Sequence, residues 1–558
     1  MRRLFTLTLL FLILSIPSAR ASAPAHRWSH RFGGTLDDAG QALAVDPARN
    51  VYLAGVFQGT MNLGSGDLVS AGGTDIFLAK YNSFGVLQWS KRFGNTNEDY
   101  LQAVAADNAG NVIITGSFTS SVDFGGGVLV SAGSADAFVA SFDTNGNYNW
   151  SKRFGDVGYD TGTSVAVDGS GQVVVTGTFS GSVWFGGGPV QFSSGSDDAF
   201  LAKFTASSGA YVWGMDLGGS GDDGATSVAV DSGGNIALTG YFHGTAVFGG
   251  FPIVSNGGAD VFLVRFTPGA SHVFSTNFGG ASDDFGRRVA FDSGGNILLA
   301  GTFESTANLG GFVPLVTNGN ADVFLAKYDS FGTFAWSEGL GGTASDVVRG
   351  MAADGSNNIV ITGYFQGPVN FGGGDINGTG FNSIYLAGYD GNGQHLYSEA
   401  FGATTTAEGH AIAIDNTNSI VLAGAFVGDI NLGGLTFSSG GENYSAEGFL
   451  ARFSQLVVPV LPTTIPQSLS IASYPNPFNP RTTLSYTVPS RGAVNVSIFD
   501  ARGTRVATLV HDEAREAGAY QVGWNGRSDD GIAVSSGVYF ARIQMGIKTD
   551  VRKIVLLK

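Results

Sequence analysis

The chain has 558 residues, of which 43% are hydrophobic, 86 are Gly and none is Cys, and it carries a formal net charge of −16. The lack of Cys excludes disulfides, Cys-ligated zinc and thiol nucleophiles. The acidic balance leaves no basic surplus to neutralise phosphates, so nucleic acid is not an expected partner.

The chain opens on Met1-Arg2-Arg3, an apolar run from Leu4 to Ile16, and Ala19-Arg20-Ala21. A charged head, a short apolar stretch and a small-x-small site predict a secretory signal over residues 1–23. The apolar run is too short to span a bilayer comfortably. No later run resembles it, so no transmembrane helix is expected in the mature protein.

An Asp then recurs at positions 46, 107, 168, 231, 292, 354 and 415, in steps of 61, 61, 63, 61, 62 and 61. So regular a period marks a repeat architecture. Each Asp closes a short alternating strand and opens a turn such as Asp107 to Asn111. Asp bonds the turn backbone, and Gly supplies the positive φ. A second strand follows, as in Asn50 to Phe57, and then a small Gly-rich hairpin such as Val122 to Ser131. A third strand (Asp75 to Tyr81 in the first copy) and a fourth (Val86 to Phe93, with Trp-Ser-Lys-Arg-Phe) complete the unit. No helical period competes with this reading.

Four antiparallel strands repeated seven times predict an all-β fold, a seven-bladed β-propeller over residues 24–454. A fourth-strand motif, Trp28 to Phe32, precedes the first copy, and none follows Glu447 to Phe453. The N-terminal strand is therefore expected to close the last blade, which removes exposed sheet edges. A column of Ala (44, 105, 166, 229, 290, 352 and 413) suits close approach of the innermost strands. The motifs Asp-x-x-Gly-Asn-Val-x-x-x-Gly, Asp-x-Phe-Leu-Ala-Lys-Tyr and Trp-Ser-x-x-Phe-Gly-Gly resemble the SBBP-type bacterial β-propeller repeats. That resemblance implies a secreted or cell-surface protein and names no ligand.

Residues 455–468 are Pro-rich and lose the repeat, which marks a linker. Residues 469–558 carry about seven strand-like runs separated by turn signals, the pattern of a small β-sandwich. Tyr474 to Pro480, Phe499 to Gly503, Trp524 to Arg527, Ser536 to Phe540 and the ending Lys553 to Lys558 resemble the FlgD-type Ig-like tails used as sorting domains in type IX secretion. The resemblance implies the secretion machinery as a partner, with export across the outer membrane, removal of the tail and attachment at the cell surface; the alternative within the family is a permanent adaptor domain that stays on.

Three side-chain columns bear on function. Asp38, Asp99, Asp160, Asp223, Asp284 and Asp346 stand eight residues before the repeat Asp, and Glu408 is displaced by one. Such a ring suits calcium or a polycation; alternatively, each acid satisfies amides of its own loop. Gln41, Gln102, Thr163, Thr226, Arg287, Arg349 and His410 stand five before it, at the expected channel mouth, with Arg288 beside them. An Arg–Arg–His cluster suits a carboxylate or a sulfated glycan, unless each Arg pairs with its loop acid, Asp284 or Asp346. Tyr100, Tyr159 and Trp184 break the pattern of their columns, Tyr444 sits in an enlarged loop, and all four could stack on sugars, unless they are packing residues of the core.

Catalytic signals are weak. Ser220 to Thr226 matches a sialidase Asp-box once, in the wrong loop, and reads as coincidence. The His residues lack metal-ligand spacing. The sequence therefore predicts an exported, non-enzymatic propeller that binds a protein or glycan at the cell surface, with calcium the one cofactor in view. The alternatives are a polysaccharide hydrolase or lyase at the channel mouth, using Asp and Arg side chains, and a structural spacer.

Overall fold

The computed structural model describes residues 23–440, 445–455, 468–474, 476–515 and 518–557. The expected signal segment (residues 1–22), linker residues 456–467 and Tyr444 lie outside the described residues. Every regular element among the described residues is a β-strand. The chain divides into a larger unit, Arg20–Val458, and a smaller one whose strands lie within Pro459–Lys558.

The larger unit contains seven main antiparallel sheets, five of four strands and two of six, each six-stranded one extended by the hairpin of the next repeat. The first is Asp38–Val45, Val51–Phe57, Asp75–Tyr81 and Leu87–Phe93, hydrogen-bonded in that order. Its second and third strands are buried nearly throughout, whereas its outer strand is only half buried. Continuous apolar runs follow from sheets covered on both faces. Ring after ring of core residues spans two adjacent sheets. Ile113, Ala137 and Val139 of the second sheet pack with Val165, Val175 and Phe200 of the third, and Ala103 and Ala105 lie against them.

Each inner strand touches the inner strand of the next sheet, and the seventh touches the first. The seven sheets thus form a closed, propeller-like cycle. His26–Phe32 supplies the outer strand of the seventh sheet, pairing with Glu447–Gln455 in the register Trp28↔Arg452, His30↔Leu450 and Phe32↔Gly448.

The repeat motifs are joints between sheets. Asp107 Oδ1 accepts from the Ala109 and Asn111 amides, Asn111 Nδ2 donates to Asp107 Oδ2 at 2.7 Å, and Gly110 takes φ +79°. In the fifth sheet, Lys327 Nζ lies 2.8 Å from Asp292 and donates to Gly391 O in the next sheet. Trp336 Nε1 donates to the same carbonyl at 3.3 Å. The Lys and Trp of the repeat therefore tie one sheet to the next sheet's turn.

The small hairpins sit beside the loops between sheets. Gly218 and Gly219, at the end of the third sheet, pair with Val247 and Ala246 of the fourth sheet's hairpin, and Gly341 and Gly342 pair likewise with Asn370 and Val369. Inserted hairpin and connecting loop share one face, as the alternation of strands requires.

The smaller unit has a three-stranded sheet (Ser470–Tyr474, Thr482–Val488, Gly518–Trp524) and a four-stranded one of Arg505–Arg515, Gly492–Asp500, Gly537–Met545 and Lys548–Leu556, in that spatial order. One core, including Leu484, Tyr486, Val496, Ile498, Trp524 and Ile543, lies between them. Phe478 accepts from Leu557 N and donates to Val555 O, and Asn476 Oδ1 accepts from Val555 N. The Asn-Pro-Phe motif thus fastens the last strand.

Candidate functional site at the channel mouth

The seven residues Gln41, Gln102, Thr163, Thr226, Arg287, Arg349 and His410 share one local structure. Pairing of the inner strand with the second strand skips each of them: Gly40/Ala42, Leu101/Ala103, Gly162/Ser164, Ala225/Ser227, Gly286/Arg288, Val348/Gly350 and Gly409/Ala411. A one-residue bulge re-aims its side chain and sharpens the local twist. Five of the seven (Gln102, Thr163, Thr226, Arg287 and Arg349) line one cavity, Gln41 lines the axial space, and His410 lines neither.

The repeat Gly on the second strand permits the bulge. A Cβ on Gly55, Gly116, Gly177, Gly240, Gly301, Gly363 or Gly424 would meet a backbone carbonyl of the inner strand at 1.9–2.1 Å. At Gly301 that carbonyl belongs to Phe285, two residues before Arg287. Backbone there has no flexible end to yield, so Gly301→Ala is expected to cost about 1–3 kcal/mol or more, measured by urea unfolding.

The polar column and its neighbour both break the repeat. Arg287, Arg288 and Arg349, with Gln102, Thr163, Thr226 and Tyr364, line a cavity of about 420 Å³. Arg349 lies over the Tyr364 ring, 5.4 Å from its centroid, and its Nη2 is 3.1 Å from Glu408. Arg287 lies over Phe285 at 4.7 Å, and its Nε is buried with no hydrogen-bond partner. Burial, then the Arg349 charge, draws the Arg287 pKa down. His410 Nε2 is 3.6 Å from Glu408, and its Nδ1 lies 3.2 Å from Gly40 O.

The expected pairing of each Arg with its own loop acid is not formed. Asp284 accepts from the Gly280 and Glu304 amides, at 2.7 and 3.1 Å, and Asp346 from Gly342 and Gln366. Both carboxylates are fully buried. Asp99, Asp160 and Asp223 likewise each accept two amides, and Asp38 accepts Gly34 N. These six acids face N–H donors, and among the described residues no three acid or His side chains gather as a metal-holding group.

Glu408 differs because the seventh inner strand has Ala407 in the acid column. Asn382 donates to Glu408 Oε1 at 2.7 Å, which leaves Oε2 to Arg349 and His410. Burial pushes the Glu408 carboxyl up, but His410, Arg349 and Asn382 outweigh it and hold the group below the usual carboxylate range. It is a carboxylate at neutral pH and a poor general acid.

Tyr100 and Tyr159 are 41% and 47% exposed, and the Tyr100 hydroxyl donates to Glu98 at 3.3 Å. They belong to the second sheet and the loop ahead of the third, outside the Arg-lined cavity. Trp184 is also exposed.

One column escapes a reading based on the polar series alone. Directly after each bulge stand Ala42, Ala103, Ser164, Ser227, Arg288, Gly350 and Ala411, which face a narrow axial space of about 130 Å³. Six are small and one is Arg.

Fold and site together define an all-β repeat protein with a propeller-like ring and a cationic mouth. The FlgD Ig-like domain family model matches residues 480–546, within the smaller unit. An uncharacterized WD repeat-containing protein of Acanthamoeba polyphaga mimivirus is 21% identical over 562 residues, covering 80% of this chain and 39% of that protein. The regulatory protein FlaEY of Caulobacter vibrioides is 26% identical over 330 residues, covering 54% of this chain and 33% of that protein. The chain thus spans between a third and two-fifths of the length of these relatives. Quinohemoprotein alcohol dehydrogenase from Comamonas testosteroni is similar with a TM-score of 0.37 and 12% identity, over 77% of this chain and 76% of that one. That likeness carries nothing about activity.

Proposed function

We propose that the protein is an exported binding module: a seven-bladed β-propeller of SBBP-type repeats that presents the channel mouth to a protein or glycan at the cell surface. The N-terminal segment directs export, and the Ig-like tail serves sorting by type IX secretion and surface attachment. No cofactor enters this reading.

One observation carries it. Seven matching bulges carry a polar column whose chemistry changes from Gln and Thr to Arg and His around the ring, and five of its members line one cavity. A feature shared by all sheets serves the fold, whereas a cluster that breaks the repeat in a concave, partly enclosed space serves a ligand.

Binding is favoured over polysaccharide cleavage on chemical grounds. Glycoside hydrolysis needs a carboxyl pair across the scissile bond. The residues lining the cavity include no carboxyl group, and Asp284 and Asp346 are engaged with amides. The test is a panel of glycans and surface proteins presented to the secreted protein, with product analysis of each glycan. Retention of a panel member without cleavage is the expected result. Cleavage abolished by Arg287→Ala would replace this reading with an enzymatic one, and a blank panel would leave a spacer.

A further inference from the structure

We infer that the channel mouth is an oxyanion site centred on Arg288, and that its ligand is an acidic sugar whose carboxylate enters the axial channel. This rests on the reading of the mouth as the binding site and specifies the chemistry bound there.

Arg288 is the one long side chain in a column otherwise made of Ala, Ser and Gly. It borders both the mouth cavity and the axial space, the one member of its column to do so. Among the described residues its one hydrogen bond is Nη1 to Arg287 O at 2.9 Å. A guanidinium has five N–H donors in a rigid fork. Neither Arg288 nor Arg287 has a carboxylate partner among the described residues, although acids outnumber bases by 45 to 29 in the chain. Burial, then Arg287 and Arg349, lowers the Arg288 pKa to about 10, which leaves it charged at pH 7.

Unpaired cations held together in a partly enclosed space are unfavourable unless an anion joins them. Two adjacent guanidinium forks match a carboxylate through paired N–H···O bonds. The surrounding groups suit a sugar. Gln102 offers an amide, Thr163 and Thr226 offer hydroxyl lone pairs, and Tyr364 offers a ring face. A cavity of about 420 Å³ lies within the range of small-molecule sites. Arg349 is already shared with Glu408, so Arg287 and Arg288 are the cations free to bind.

The experiment uses the full chain, with glucuronate, sulfate and glucose as probes in calorimetry and thermal melts. Glucuronate should bind and raise the melting temperature, glucose should do neither, and sulfate should bind more weakly than glucuronate. Arg288→Ala, which installs the residue of three other sheets, should weaken glucuronate binding at least tenfold. Arg288→Ala should also melt no lower than the parent in low salt, because it removes an unpaired charge; that reading shows the variant is folded. Arg288→Lys should keep the charge but lose most of the affinity, since a point charge does not reproduce the fork. Equal glucuronate affinity in parent and Arg288→Ala would overturn the inference, as would glucose binding as well as glucuronate. Capture of a neutral glycan or surface protein unaffected by Arg288→Ala would overturn the anion assignment and leave the binding module standing. Sulfate bound more tightly than glucuronate would overturn the carboxylate assignment.

Discussion

Removing His26–Phe32 is expected to abolish cooperative unfolding of the larger unit and to leave it prone to self-association. That strand is the outer edge of the seventh sheet, yet much of its anchoring is to the first. Phe32 is 2% exposed and meets the Phe77 ring edge-on at 5.4 Å. His30 stacks on Tyr81 at 5.7 Å, and Trp28 Nε1 donates to Ser83 O at 3.3 Å. Arg31 Nε is 3.1 Å from Glu447 in its own sheet. Without the strand, Glu447–Gln455 presents open backbone donors and acceptors, the template for edge-to-edge pairing. A point change isolates the packing. Phe32→Ala should destabilise by about 3–5 kcal/mol, read as a lower urea midpoint with an unchanged slope. A loss below about 1 kcal/mol would mean the ring is not held shut by this contact.

Stability should rise as the pH falls from about 8 toward 5, the reverse of ordinary acid sensitivity. Asp38, Asp99, Asp160, Asp284 and Asp346 are each raised to about 7, by burial first, with the backbone amides pulling the other way. Each also faces a second acid: Glu447, Asp75, Asp136, Asp260 and Asp322 respectively. Arg31, Arg92 and Arg153 ion-pair with Glu447, Asp75 and Asp136, while Asp260 and Asp322 have no ion pair among the described residues. The sign follows from linkage. A carboxyl whose pKa is higher folded than unfolded binds more protons in the native state between the two values, so protonation there favours folding. The gain begins near pH 7 and ends below about pH 4, at the unfolded value. One such group gives a slope of about 1.4 kcal/mol per pH unit in that window. The chain carries its own control, since the junction between the sixth and seventh sheets has Ser383 and Ala407 at these two places. Asp322→Ser with Asp346→Ala copies that junction and should flatten the slope. A urea midpoint equal at pH 5.5 and pH 8, or higher at pH 8, would dispose of the idea.

The period of 61 made the seven sheets and the closing strand legible, because strand patterning and turn chemistry are local and recur. The third-strand bounds of the first copy agree with the structure residue for residue at Asp75–Tyr81. The polar column was visible as a series and expected at the channel mouth, but the bulge at each of its members was not. Each member of the column, from Gln41 to His410, is the extra residue of a bulge, and a bulge depends on pairing with the neighbouring strand. The signal was present in Gly55, Gly116 and their equivalents, where a repeat Gly stands opposite each bulge. Arg288 was noted as a neighbour of Arg287, while the six small residues of its column went unread. Pairing of Arg287 with Asp284 looked natural from sequence separation, yet two loop amides had prior hold of that carboxylate.

Because Trp28 pairs with Arg452, the two halves of one sheet lie some four hundred residues apart along the chain. Closing so long a loop costs little more than closing one half as long, since the entropy grows only with the logarithm of length. Timing is another matter. The final joint waits until the whole circuit has been synthesised, and until then the partial ring carries an unsatisfied edge. Rejoining the ends and cutting at the Asp329 to Thr333 turn would move that late step elsewhere, and circular permutants should therefore differ in folding rate more than in final stability.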